Sequence, residues 1–313
     1  MKTTDLHVHS SRSDGSLTPT QLVELAVQKG LSAFALTDHD TIDGLDEAIS
    51  YARSLNEAHS AEAAADKPAD RSASRSPSPS VPLIRVIPGI EFSTEYMGRD
   101  IHILGLGIDY RRDAFRRRIQ AFVDSRILRN QKMCRNLAEA GIDISYEKLI
   151  QAFPGSVITR GHYARYLLEH GYVKSMPEAF ERYVGDRCPY FVPREKVTPA
   201  QAAELILEAR GLPILAHPTL YHMGGEALQR LVSTLKEAGL VGIEAVYSTY
   251  SQGEERQMRQ LASRNGLLIS GGSDFHGKNK PGLELATGYN GKLLIPYDIW
   301  ERLEQKKKEL FGA

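Results

Sequence analysis

Hydrophobic and polar positions along this chain follow two different periods. Residues 4–9 alternate, as a short strand does, and 33–37 form an apolar run that reads as a buried strand. Between them Leu22, Leu25 and Ala26 share one helical face within 18–29. Thr18 is placed to cap that helix, Pro19 falls in its first turn and Gly30 stops it. Residues 43–55 read as a second helix, and strand–helix–strand–helix is the pattern of a parallel α/β sheet. Strand-like runs follow at 83–87, 90–96 and 101–108.

From Tyr110 the period changes. Phe115, Ile119, Phe122 and Val123, continued by Met133 and Leu137, mark one face of a long helix that Gly141 ends. Shorter helical patterns at 146–152, 162–169 and 176–183 make 110–188 an all-helical insertion. After Pro193 the alternation resumes, with helices at 199–210, 226–238, 252–265 and 295–310, and strands at 213–216, 241–246 and 267–271. The count of about seven strands places an α/β body in residues 1–109 and 189–313, with the helical subdomain inserted between. Residues 59–80 interrupt the pattern. They hold no aromatic and no branched aliphatic residue, and include the run RSASRSPSPS. Such a stretch buries too little apolar area to offset its ordering entropy, so it reads as a mobile surface insert, with an alanine-rich helix over 57–66 as an extension of the preceding one.

The 313 residues carry 39 basic and 39 acidic groups. That balance argues against a general binder of long duplex nucleic acid, which carries a large basic excess. It hides a local excess: residues 111–135 hold nine Arg or Lys against two Asp. Cys134 and Cys188 have no metal-binding or redox spacing, the first ten residues are too polar for a signal peptide, and no apolar run approaches a membrane span. The expectation is a cytoplasmic protein without a membrane partner; the oligomeric state is left open.

The ten histidines matter through their positions. His7 and His9 close the first strand and, two residues apart, share a face. His39 follows the second strand, Glu91 the third, and His102 lies in the run at 101–108. His217 follows the strand at 213–216, and Asp274 and His276 follow the last. In an α/β barrel the strand ends converge on one face, where active sites form. Imidazole with carboxylate suits Zn, Mn or Fe(II) better than Ca or bare Mg. A lone histidine at a strand end is commonly a surface or hydrogen-bonding residue; His-x-His, Asp-His-Asp and Ser-Asp-Phe-His at three strand ends point to metal together. His59, His170 and His222 lie outside this pattern.

These motifs carry a family resemblance. Asp5-Leu6-His7-Val8-His9-Ser10 with Asp14-Gly15, then Thr37-Asp38-His39-Asp40-Thr41, Pro88-Gly89-Ile90-Glu91, Ile101-His102, Ala216-His217-Pro218 and Gly272-Ser273-Asp274-Phe275-His276 resemble, in order, the motifs of the PHP (polymerase and histidinol phosphatase) superfamily. The resemblance implies a distorted (β/α)7 barrel with a trinuclear metal centre. His7, His9, Glu91 and Asp274 would hold one metal, Glu91, His102 and His217 the second, and Asp14, His39 and His276 the third. Two or three divalent ions are implied, Mn first, with Fe, Zn or Mg as alternatives. Closest is the stand-alone group of 3′,5′-nucleotide bisphosphate phosphatases, also described as AMP phosphatases, together with the related 5′→3′ ribonuclease that trims short RNA. Ile158-Thr159-Arg160-Gly161-His162 resembles that group's phosphate-contacting turn, with Gly161 in place of a commoner proline.

The resulting expectation is a phosphoesterase that removes the 3′-phosphate of a nucleoside 3′,5′-bisphosphate by metal-activated hydroxide attacking in line. Asp14 belongs to the catalytic centre, and His276 or Asp40 would protonate the leaving oxygen. Arg126, Arg129 and Asn130 share a helix face at i, i+3 and i+4 and, with Arg160 and His162, would bind substrate phosphate; a solvated basic face is the alternative. Arg194 and Lys278 are weaker candidates, and Tyr247 or Tyr250 either stacks on a base or packs. Competing readings are a 5′→3′ exoribonuclease on short 5′-phosphorylated RNA, an amidohydrolase-type C–N hydrolase, which leaves Asp14, Glu91 and the last Asp-x-His unexplained, and a metal-dependent nucleotide sensor.

Overall fold

The computed structural model describes residues 2–65, 83–185, 187–192 and 197–312. Seven strands form one sheet in chain order: β1 (Thr4–Val8), β2 (Ala33–Leu36), β3 (Arg85–Tyr96), β4 (Arg99–Leu106), β5 (Leu212–Leu215), β6 (Gly242–Tyr247) and β7 (Leu268–Gly272). β1, β2 and β3 pair in parallel, as do β5, β6 and β7, whereas β4 runs antiparallel to both its neighbours. The sheet curls back on itself where Asp274 N donates to His7 O at 2.9 Å and His9 N donates to Phe275 O at 3.0 Å. Gly272 permits that approach, since a Cβ there would lie 2.2 Å from His7 Cβ. The result is the distorted seven-stranded α/β barrel expected from the sequence.

Helices α1 (Pro19–Gln28), α2 (Leu45–Ala65), α7 (Pro199–Glu208), α8 (Gly225–Glu237) and α9 (Gln252–Arg264) connect the strands. α1 starts as its sequence predicts: Thr18 and Gln21 form a reciprocal capping box, with Pro19 in the first turn. The largest hydrophobic cluster joins strand residues such as Phe34, Phe92 and Ile243 to Leu22, Ile206, Leu231 and Met258 of these helices. A second cluster collects Leu6, Ala35, Leu104 and Ile214 with Ile299, Trp300 and Leu303 of α10 (Asp298–Phe311). Thr4 N donates to Ile295 O at 3.0 Å, so α10 packs at the end of β1 opposite His9 and leaves the histidine end open.

Residues 113–184 are helical, with no strand among them: α3 (Asp113–Glu139), α4 (Tyr146–Ala152), α5 (Arg160–Glu169), α6 (Met176–Ala179) and a π-helical turn, Phe180–Val184. They have a hydrophobic cluster of their own, built from Met133, Leu137, Leu149, Tyr163, Leu167 and Val184 among others.

Three expected boundaries are corrected. The two strands expected around Pro88-Gly89 are one, β3, because Pro88 falls where the strand changes partner. Leu36 opposite Pro88 is its last parallel pair with β2, and Gly89 opposite Leu106 its first antiparallel pair with β4. The alanine-rich extension expected over 57–66 is present, since α2 runs on through residue 65; the expected insert from 66 lies outside the described residues. The helix expected at 176–183 changes to π-helical hydrogen bonding at Phe180. The terminal helix starts at Asp298 rather than 295, because Pro296 bridges to Thr3 first.

Candidate metal centre

All nine expected metal ligands meet at the open end of the barrel. β1 delivers His7 and His9 to one face, with their Nε2 atoms 3.0 Å apart. Glu91 lies between the groups. Its Oε2 stands 3.1 Å from His7 Nε2, 3.1 Å from His9 Nε2 and 3.2 Å from His39 Nδ1. Its Oε1 stands 2.9 Å from His102 Nδ1 and 3.1 Å from His217 Nε2. One carboxylate thus faces two sets of imidazoles, one with each oxygen. His102 sits near the start of β4, and the reversal of β4 brings that end to the same mouth as the C-terminal ends of the other strands.

At the far side Asp274 Oδ1 is 3.3 Å from His9 Nε2 and 3.5 Å from His7 Nε2. His276 Nε2 is 3.1 Å from Asp14 Oδ1, and His39 Nε2 is 3.8 Å from Asp14 Oδ2. Ligand atoms of four overlapping groups lie within 4.8 Å of one another: His9, Asp14, His39 and His276; His7, His217 and Asp274; His7, His9 and Glu91; and His39, Glu91 and His102. Two imidazole nitrogens aimed at each other and at one carboxylate, all buried, need a proton or a cation between them. The donor set fits divalent transition ions.

The backbone is strained here. Asp40, His217 and Asp274 have φ of 52°, 28° and 56°, a region non-glycine residues rarely occupy and which concentrates at functional sites. Burial opposes charge throughout the cluster, but its pairs differ in outcome. For His9, burial is outweighed by Asp274 and Glu91, which hold it up at about 9. For His102, burial is outweighed by Glu91 and Asp100, and its pKa rises to about 10. For His39 burial wins, pushing it down to about 3. His276 is lowered by burial, then by Lys280 and His9. Against their own burial, Asp14, Glu91 and Asp274 stay well below the usual carboxylate range because of the surrounding histidines and, first for Asp274, Lys280.

Three supporting carboxylates were not singled out from the sequence. Glu244, in β6, stands 3.1 Å from His7 Nδ1 and accepts the His217 backbone N–H at 2.8 Å. Asp38 accepts from Ser10 N at 2.8 Å and from the Ser10 and Ser13 hydroxyls at 2.6 Å each. Asp5 accepts from Ser273 N at 2.8 Å and Ala286 N at 2.9 Å, tying the β7 exit to β1. Each is an acid inside an apolar strand or at its end, and Asp5 and Asp38 also stand within the quoted motifs. Tyr247 packs rather than stacking on a base: it is buried, and its hydroxyl donates to Asp274 Oδ2 at 2.6 Å. Tyr250 packs against Tyr247, with ring centroids 5.2 Å apart.

Beside the cluster lies a cavity of about 170 Å³ bordered by Asp14, His39 and His102 on one side and by Arg126, Arg129 and Arg160 on the other. Arg126 is ion-paired with Asp40 and donates to Ser93 Oγ at 3.3 Å. Arg129 donates to Met133 Sδ at 3.0 Å, and Arg160 pairs with Asp100 at 2.6 Å. The other cations of 111–118 face solvent, where Arg111 pairs with Asp46, so only part of the basic excess reaches the cavity. Asn130 is fully buried and spends its Nδ2 on Ile158 O at 2.9 Å. His162 caps α5 through Nδ1, which accepts from Thr159 N at 3.0 Å, and burial lowers its pKa to about 4. Lys278 is exposed, whereas Lys280, two residues on, reaches Asp274 Oδ2 at 2.5 Å. Arg194 lies outside the described residues.

A barrel open at one end onto this donor set, with arginines across a small cavity, defines a phosphoesterase. The chain belongs to the PHP domain family, whose model matches residues 5–185. It is 32% identical over 308 residues to a 3′,5′-nucleoside bisphosphate phosphatase of Chromobacterium violaceum, covering 98% of each chain. It is 34% identical over 272 residues to a 5′-3′ exoribonuclease of Haemophilus influenzae, covering 87% of this chain and 89% of that one. A solved structure from Chromobacterium violaceum, described as an amidohydrolase with bound sulfate and no metal, matches with a TM-score of 0.79 at 30% identity, covering 97% of this chain and 96% of that chain. No helix among the described residues is long and apolar enough to cross a membrane.

Proposed function

We infer that this protein is a phosphomonoesterase that removes the 3′-phosphate from nucleoside 3′,5′-bisphosphates. The observation that carries the reading is the arginine-lined cavity of about 170 Å³ set directly against the histidine–carboxylate cluster. Ligand pockets run from about 300 Å³ upward, so this one suits a phosphate group and not a polynucleotide strand. The Chromobacterium phosphatase, alike over nearly its whole length, supports the same substrate class.

The family resemblance implies three ligand sets: His7, His9, Glu91 and Asp274; Glu91, His102 and His217; and Asp14, His39 and His276. Glu91, with one oxygen toward each of the first two, serves both. These residues would hold divalent ions, Mn first, which when bound would supply Lewis-acid chemistry toward a phosphoryl oxygen and a water of lowered pKa. The chain's own groups do the rest. Arg126 and Arg129 hold a second phosphate, fixed in place on the buried face of α3 that also packs Met133 and Leu137. Arg160, oriented by Asp100, closes the cavity over it. Asp40 is bound to Arg126 and accepts from Ser93 N at 3.0 Å, so its role is to aim that guanidinium. With Asp40 engaged, His276, whose Nε2 stands 3.1 Å from Asp14 Oδ1, is the remaining group to protonate the leaving oxygen.

The second reading, a 5′→3′ exoribonuclease, is favoured by the Haemophilus relative. Purified protein with Mn decides between them. Adenosine 3′,5′-bisphosphate converted to adenosine 5′-phosphate, with a 5′-phosphorylated oligoribonucleotide left intact, supports the phosphatase. An inert bisphosphate with an oligomer shortened stepwise overturns it.

A further inference from the structure

Asp14 and His276 also border a second cavity, of about 290 Å³, on the side away from the arginines. Asp14, Gly161 and Phe180 line both cavities and form the partition between them. The two chambers differ in chemistry. The first is walled by guanidinium groups, the second by Met176, Pro177 and Phe180, with His162, Asn279 and the cations Arg165 and Lys280 also in its lining.

Both cations are already engaged. Arg165 donates to Glu169 Oε1 at 2.7 Å and lies 5.4 Å over the Phe153 ring, and Lys280 is held by Asp274. What the second chamber offers an occupant is therefore an apolar surface. Phe180 is 38% exposed, lies outside the hydrophobic clusters, and opens the π-helical turn Phe180–Val184. Single π-turns inside helices recur at functional sites, where the extra residue re-aims a side chain. At the partition Gly161 carries no side chain, and a Cβ there would already lie 3.4 Å from Asp14 Oδ2, so the way past Asp14 stays open.

We propose that this second chamber takes the planar base of the substrate, stacked on Phe180, while the arginine cavity takes the phosphate not being cleaved. The inference rests on the nucleotide reading above and adds a site to it. A phosphorus atom at the Asp14–His276 corner has one chamber on each side. At 290 Å³ the apolar one sits at the lower edge of the usual range for ligand pockets, about 300–1,000 Å³, which fits one ring system and not a chain of nucleotides.

The test compares adenosine 3′,5′-bisphosphate with its abasic analogue, 1-deoxyribose 3,5-bisphosphate, in the Mn-loaded wild type, Phe180→Ala and Phe180→Trp. Stacking of a base on an aromatic ring predicts that the preference for the nucleotide, as a ratio of kcat/KM values, falls roughly tenfold in Phe180→Ala and returns in Phe180→Trp. A ratio unchanged by Phe180→Ala overturns the proposal, as does a loss of equal size on both compounds. Calorimetric Kd values for the same pair separate this outcome from failure of the functional reading. If neither compound is hydrolysed, the phosphatase assignment falls. The chamber then stands or falls by whether the Kd ratio drops in Phe180→Ala. Phe180 is outside every core cluster, so the alanine variant keeps its fold, checked by an unchanged melting temperature.

Discussion

Glu244 Oε1 stands 3.1 Å from His7 Nδ1, which leaves His7 Nε2 as the atom facing Glu91 at 3.1 Å. The same carboxylate accepts the backbone N–H of His217, whose φ is 28°. Glu244 therefore fixes the ring of one candidate ligand and the strained backbone of another. Outer carboxylates of this kind set the tautomer of a ligating histidine, and losing one lowers metal affinity by about 10–100-fold. Glu244→Gln is expected to show a loss in that range by competition with a metal-sensitive chelator, with the wild type binding at least two ions per chain by mass spectrometry. Unchanged affinity would remove Glu244 from the site.

Asp14→Ala and His276→Ala are expected to lower kcat by about 10²-fold or more, the scale of a lost acid–base group, while circular dichroism stays native. Asp14 is held at the mouth by Thr159, whose hydroxyl donates to its Oδ2 at 3.1 Å. Near-normal turnover in either variant would count against that residue's place in the catalytic centre.

The Arg126–Asp40 pair separates binding from stability. Both groups are almost wholly buried, so removing one partner strands the other, at a cost of about 3–5 kcal/mol. Arg126→Met is expected to melt several degrees lower and to lose phosphate affinity. Arg126→Met with Asp40→Asn recovers most of the stability but none of the affinity, as read by thermal melts and by inorganic phosphate titration.

The histidines set a pH optimum for the metal-free protein. His9 and His102 are held at about 9 and about 10, above the unfolded value of roughly 6.5. Their contribution is complete below that unfolded value and is lost as pH rises toward 9–10. His39, lowered to about 3, works in the other sense: below roughly 6.5 the unfolded chain takes up a proton that the folded chain refuses. Apo protein is expected to be most stable near pH 6.5 and to lose stability on either side. Binding of divalent ions displaces the protons on His9 and His102, so the alkaline loss should shrink in the Mn-loaded form. Melting temperatures from pH 5 to 10, with and without chelator, read both limbs; a flat apo profile would contradict the assigned histidine states.

Gly272 decides whether the barrel closes. Its missing Cβ would fall 2.2 Å from His7 Cβ and 2.8 Å from His7 N, both fixed by the β1 backbone. Gly272→Ala is expected to destabilise by at least the roughly 1–3 kcal/mol of ordinary overpacking and to reduce metal affinity with it, because His7 must move. Chemical denaturation and metal titration of the same sample check both.

Much of this was legible in the chain. The period-2 and period-3.6 patterns located the strands and most helices, because side-chain direction follows from local backbone geometry. Thr18 and Pro19 announced α1 for the same reason: a cap is satisfied within four residues. Eight of the nine candidate ligands stood out because acids and histidines in or at the ends of apolar strands are costly unless they have a purpose there, and Asp14 entered through the family resemblance.

Local pattern says which way a side chain points, and not what it meets. The reversal of β4, which brings His102 to the mouth, depends on its pairing with β3 and β5. The joining of two expected strands into β3 depends on a change of partner at Pro88-Gly89. Glu244 read as one more residue of a buried strand until closure of the sheet set it against His7, 237 positions away. Arg126 and Asp40 came from two separate motifs and proved to be one ion pair. The sequence by itself determined the elements, the family and the ligand types. Only the tertiary structure decided which charges neutralise one another and where two chambers open, because both depend on contacts between segments far apart in the chain.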